Sequence, residues 1–390
     1  MLNTLPVHPL LQHPDLGSEA WWNLLSQQGT PLCEVLAHGR VCLSFVVRGQ
    51  AEQRYFIDVY SHTAHITQQL TELEAIADSD VYVWQAEFTA DWLGSYNLIA
   101  TQQPPPKAPA HIRSWWCERL QESVVDVYNP LRYRTAMSSC VHYIDLKQQL
   151  AGCFLDQPRT VPNLYFWHRS DAAQPRKIWW WDSSSLSPVV SSPAALPIVL
   201  LFDGQIWAEQ LSIFPSLAQL TQQQQIPAAR YVLVDSVDVA LRWQELSCDT
   251  DFLNAILQDL LPKLFPDAAS ATLIVAGQSL GGLSALYMLS QFPDRLAGVV
   301  ALSSSLWWEN AQGRFSALFA QALPAMQAQP SRIYLAAGVL EQDMRQDSED
   351  FFQQFQFSLS IDYRTFQGGH DWVCWFHPLL QGIQHQLQLH

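Results

Sequence analysis

A serine, then a cluster of carboxylates, then a histidine follow one another along the carboxyl-terminal half of this chain, at spacings that suit nucleophilic catalysis. Ser279 lies in Gly277-Gln278-Ser279-Leu280-Gly281, directly after the apolar run TLIVA and directly before GGLSALYML. A G-x-S-x-G string carries little weight alone, because glycine and serine crowd ordinary turns. Between a strand and a helix it describes a nucleophile elbow, whose serine hydroxyl stands exposed at a helix N-terminus. The turn is tight, and a β-carbon at Gly277 or Gly281 would collide with the neighbouring strand or helix.

A serine hydroxyl needs a base to become nucleophilic, and the base needs a carboxylate to orient it. His370 is the candidate base, on the Gly-Gly loop of QGGHDWVCW after the strand-like DYRTF. The acid is expected just beyond YLAAG, where Glu341 is the first choice, Asp343 the reserve, and Asp347 close behind. Two backbone amides would form the oxyanion hole, one from Leu280 and one from Gln205 in FDGQIW, where Gly204 permits close approach.

These residues need a scaffold that brings distant loops to one edge. LPIVLLF, RYVLVD, ATLIVAG, LAGVVAL and SRIYLAAG read as strands buried on both faces, with helix-type stretches such as DFLNAILQDLLPKLF between them. That alternation predicts βαβ units and a doubly wound, mostly parallel sheet over residues 160–390. The first 159 residues follow a different grammar. VCLSFVVRG, YFIDVYS and VYVWQAEFTADWLGSYNLIA alternate with turn residues as an antiparallel β-sandwich does, and TQQPPPKAPAH reads as an extended connector. SVVDVYNPLRY has too little pattern to place.

Composition excludes several classes. The 390 residues carry 21 Lys and Arg against 36 Asp and Glu, a net charge of −15 with no basic run, which argues against nucleic-acid and anionic-membrane partners. No stretch has the apolar length of a membrane span, and the N-terminus lacks the basic and apolar regions of a secretory signal. Seven scattered cysteines without a C-x-x-C suggest reduced thiols in the cytoplasm, with neither disulfide framework nor metal site.

Taken together, LLFDGQIWAEQ, YVLVDSVD, RWQEL, VAGQSLGGLSALY, SSSLWW and GGHDWVCW resemble, in order, the enterochelin (enterobactin) esterases, siderophore esterases of the esterase D-like α/β-hydrolase type. WWNLL, FTADWLGSYNLI and DVYNP resemble the β-sandwich cap of that family. The resemblance implies an α/β hydrolase with an N-terminal antiparallel β-sandwich, and it places nucleophile, acid and histidine on Ser279, Glu341 and His370. It also implies a substrate: a macrocyclic trilactone of dihydroxybenzoyl-serine, free or ferric, so that any iron arrives with substrate and no cofactor is needed. Trp207, Trp307 and Trp308 are expected to stack catechol rings. Members of that family carry Arg where this chain has Leu340 and Phe376, which leaves Arg242 and Arg345 as candidates to face an anionic siderophore. Two other readings stand beside this one: an esterase for a feruloyl or acetyl sugar ester, and a siderophore-binding protein with an idle triad.

Overall fold

The computed structural model describes residues 5, 7–50, 52–63, 69–150, 153, 161–169, 174–186, 196–329 and 331–388. Contacts divide the chain into two compact units, 1–150 and 151–390. The boundary expected between residues 159 and 160 lies outside the described residues.

The first unit is a β-sandwich. One antiparallel sheet orders Leu32–Val35, Arg40–Arg48, Val81–Thr89 and Glu74–Ala75; the other orders Thr71–Glu72, Arg54–Val59, Leu93–Thr101, Val141–Asp145 and Arg132–Tyr133. Alternate residues of Arg40–Arg48 show why it is a strand: Val41, Leu43, Phe45 and Val47 meet Ile57, Tyr96 and Leu98 of the other sheet. Its other face is not wet, because Val46 packs with Trp21, Trp22 and Leu25 of the helix Glu19–Gln28. SVVDVYNPLRY, unplaced by pattern, supplies the short edge strand Arg132–Tyr133.

The second unit holds an eight-stranded sheet: β1 (Asn163–Trp167), β2 (Arg176–Asp182), β3 (Ile198–Leu201), β4 (Arg230–Val234), β5 (Leu273–Gln278), β6 (Gly298–Leu302), β7 (Arg332–Gly338) and β8 (Ser360–Phe366). Their spatial order is β1-β2-β4-β3-β5-β6-β7-β8. β1 and β2 run antiparallel to their neighbours, and all pairs from β4 to β8 are parallel. Every residue of β3, β5 and β6 is buried, as their unbroken apolar runs predict. Four helices matter for the site: α1 (Val239–Leu246), α2 (Leu280–Gln291), α3 (Gln342–Phe355) and α4 (Trp372–Leu387). Val299 of β6 shares a core with Leu283 and Leu286 of α2, whereas Val300 lies against Gly382 of α4. The two helices therefore cover opposite faces of the central strands.

Register places the chemistry. Gln278 pairs with Leu302, Leu302 with Ala336, and Gly338 with Phe366, so β5 to β8 bring their carboxyl ends to one edge. The segments carrying Ser279, Ser303, Glu341 and His370 leave the sheet there, at the edge where open α/β sheets hold their ligands.

Candidate active site

Ser279 stands between β5 and α2 with φ 56° and ψ −122°, a left-handed conformation costly for a residue with a β-carbon. The turn is overdetermined by its neighbours. The Ser279 amide donates to the Leu302 carbonyl at 2.9 Å, and its carbonyl accepts from Leu283 and Ser305, each at 3.1 Å. A β-carbon on Gly277 would land on the Gly281 backbone, and one on Gly281 would lie 3.3 Å from Phe202 Cβ. The two glycines thus let β5, α2 and the loop after β3 close on one another.

His370 Nε2 lies 3.1 Å from Ser279 Oγ, and its Nδ1 lies 2.7 Å from Glu341 Oε1. A carboxylate only accepts, so Nδ1 carries the proton and Nε2 is left to accept from the serine hydroxyl. The Glu341 side chain is 1% exposed and that of His370 is 40% exposed, so the carboxylate is enclosed while the imidazole reaches solvent. Glu341 Oε2 accepts from Ser303 Oγ and from the Gly338 amide, both at 2.6 Å. Ser303 Oγ in turn accepts from Trp375 Nε1 at 2.8 Å, and the Trp375 ring meets the His370 ring edge to face, with centroids 4.7 Å apart. The structure therefore brings Glu341 to the histidine. Asp343 is exposed in the first turn of α3, and Asp347 lies a turn further along.

Cys374 backs the histidine loop, where a β-carbon on Gly368 would come within 2.7 Å of its Sγ. Burial and the charge of Asp371 push its thiol well above the usual range. It is a buried packing group.

The loop after β3 is built around Asp203, itself at φ 57°. Its buried carboxylate accepts from Arg242 Nε at 2.6 Å and Nη2 at 2.8 Å, from Ser236 Oγ at 2.5 Å and from Gln278 Nε2 at 2.6 Å. Gly204 fits because a β-carbon there would lie 2.6 Å from the Leu233 carbonyl carbon. Gln205 follows in helical conformation, and its side-chain oxygen accepts from the Ser236 amide at 3.0 Å. Asp203 thus ties the Gln205 loop to Gln278, the residue before Ser279.

One expected substrate contact is corrected. Trp207 is fully buried: its rings pack near Trp372 and Phe376, and Nε1 donates to Gln278 Oε1 at 3.2 Å. It supports the elbow from within and has no face left for a ligand. The Arg242 guanidinium is held in a two-point pair with Asp203 and keeps 20% side-chain exposure. Of the others, Trp307 is 48% exposed beside Ser305, Trp308 is partly buried against the core, and Arg345 is exposed on α3. Leu340, next to Glu341, is exposed, whereas Phe376 is buried.

Sequence reasoning missed Ser303, Asp203 and Trp375, which the structure places around Glu341 and the loop after β3. Only Asp203 had a local signal, the Asp-Gly pair in FDGQ. Among the described residues, no group of three His, Cys, Asp or Glu side chains is placed to hold a metal ion, and no helix is long and apolar enough to cross a membrane.

Sheet order, elbow and hydrogen-bonded Ser–His–Glu line define an α/β-hydrolase of the serine esterase class. The putative-esterase family model matches residues 186–386, and the model for the N-terminal region of enterochelin esterase matches residues 42–146. An iron(III) enterobactin esterase of Escherichia coli is 31% identical over 94% of this chain and 96% of its own length. The enterobactin esterase of Shigella flexneri, solved in the presence of enterobactin, is 29% identical with a TM-score of 0.79 over 96% of this chain and 99% of that one. The same protein solved in the presence of 2,3-dihydroxy-N-benzoyl-serine gives 0.77 at the same identity and coverage. The chain belongs to the enterochelin, or iron(III) enterobactin, esterase family.

Proposed function

We propose that this chain hydrolyses the serine-lactone esters of enterobactin, free or ferric, with Ser279 as nucleophile, His370 as base and Glu341 as its orienting acid. The continuous line from Ser279 Oγ through His370 to Glu341, at 3.1 and 2.7 Å, carries the proposal. His370 Nε2 takes the hydroxyl proton as Ser279 Oγ attacks a lactone carbonyl carbon. The tetrahedral oxyanion is held by the amides of Leu280, at the start of α2, and Gln205, on the loop fixed by Asp203. Glu341 holds the imidazole in its productive tautomer and stabilises the imidazolium. Nε2 then returns the proton to the departing serine hydroxyl, leaving an acyl-enzyme. Water deprotonated by the same nitrogen attacks the acyl carbon, frees the carboxylate product and restores Ser279. Repetition cuts the macrocycle to linear fragments and removes the chelate geometry. Iron enters and leaves with the substrate and is no resident cofactor. The partner is thus a small catecholate, and the seven free thiols support a reducing compartment, the cytoplasm.

The test incubates purified protein with enterobactin, with and without iron, and follows trimer, dimer and monomer by chromatography beside Ser279→Ala. Linear products are expected from the native chain, with the rate in the variant lower by three orders of magnitude or more, roughly. Equal product from both proteins, or none from the native one, would remove the proposal.

A further inference from the structure

Fourteen of the sixteen tryptophans are buried or half-buried, and two are not: Trp243 is 47% exposed and Trp307 is 48% exposed. These two touch each other, with ring centroids 6.3 Å apart and planes inclined by 51°. Such a pair is no part of a core. It presents an open apolar corner, two indoles inclined to one another, to solvent.

The corner lies at the nucleophile. Ser305 Oγ is 3.5 Å from Ser279 Oγ, and the Ser305 amide donates to the Ser279 carbonyl. Trp307 follows two residues later, within about 7 Å of chain. Trp243 comes from α1, as the neighbour of Arg242, whose guanidinium is anchored on Asp203 in the loop after β3. Trp308, by contrast, turns inward against the core.

We propose that Trp243 and Trp307 form one aryl subsite that takes a single dihydroxybenzoyl ring of the ester substrate and sets the preference for aroyl-serine esters. The proposal rests on the siderophore-esterase reading above. A flat ring lies on one indole face while its edge meets the other, the offset and edge-to-face contacts that aromatic quadrupoles favour. The open side of the corner leaves the ring hydroxyls in water, so no polar group is stranded. Ring recognition also suits the local charge. The chain is acidic, and the cation next to Trp243 is already committed to Asp203, which leaves stacking as the force on offer.

The test compares steady-state kinetics of Trp243→Ala, Trp243→Phe, Trp307→Ala and the double alanine variant on enterobactin, with thermal unfolding to verify that each is folded. Trp243→Ala is expected to raise KM about tenfold while kcat changes by less than about threefold, and Trp243→Phe to recover most of the loss. Because the two indoles serve one ring, the double variant should lose less than the product of the single losses. An unchanged KM in Trp243→Ala, or a phenylalanine no better than alanine, would overturn the subsite while leaving the esterase reading intact. A native chain that fails to cut enterobactin would overturn both.

Discussion

Ser303 Oγ donates a 2.6 Å hydrogen bond to Glu341 Oε2, the oxygen that His370 does not use. The buried carboxylate is therefore held from both ends, by the imidazole on one oxygen and by Ser303 and the Gly338 amide on the other. A carboxylate so enclosed is stable only because its lone pairs are satisfied, and its fixed position aims the histidine.

Glu341→Gln keeps the shape but removes the charge that stabilises the imidazolium. We expect kcat to fall by a factor on the order of 10³ to 10⁴ with the fold retained. Asp343→Ala, on the exposed first turn of α3, should stay within about threefold of the native enzyme. Reversed sensitivities in a kcat comparison would move the acid from Glu341 to Asp343.

Arg242→Leu strands the Asp203 carboxylate, whose side chain has no exposure. Removing one partner of a buried ion pair costs about 3–5 kcal/mol, measurable by denaturant unfolding. Activity should fall as well, since the Gln205 loop loses its anchor. Adding Asp203→Asn removes the orphaned charge and should recover part of the stability; a double variant no more stable than Arg242→Leu would show that the charge is not the cause.

Gly277→Ala tests the elbow by size alone. Its methyl group would land on the Gly281 backbone, which cannot rotate aside as a side chain can. A loss of about 1–3 kcal/mol or more is expected, with lost esterase activity. A native melting temperature and native rate would show that the turn has room after all.

The N-terminal sandwich should weaken in acid. His142 is buried and its Nε2 accepts from the Asp126 amide at 2.9 Å, which requires the neutral ring. Burial lowers its pKa from the ordinary 6.5, against the opposing pull of Asp126. His62 shifts the same way, through burial and the charge of Arg40. The unfolded chain therefore binds protons near pH 6.5 that the folded chain refuses. Stability is present above that pH and declines as pH falls through the window below it. Urea midpoints at pH 7.5 and 5.5 should show the fall, and a smaller one in His142→Gln. Equal falls in both proteins would assign the effect elsewhere.

What the sequence determined by itself was everything set by local chemistry and period. Unbroken apolar runs identified the strands of a parallel sheet, glycines marked the turn at Ser279 and the close approach at Gly204, and the serine and histidine stood in order around Glu341, with Asp343 still open beside it. Tertiary structure decided which side chains fill the interior and which stay exposed. Trp207, one residue from Ile206 and three from Gly204, reads locally like a pocket aromatic, yet α4 closes over it. Trp243 reads like any helix residue and ends in the open beside Trp307. Arg242 carries a charge visible in the sequence, but its partner Asp203 lies 39 residues away, and Ser303 meets Glu341 across 38. Periodicity reports whether a residue faces a core; only the packing of distant segments reports which neighbour it meets there.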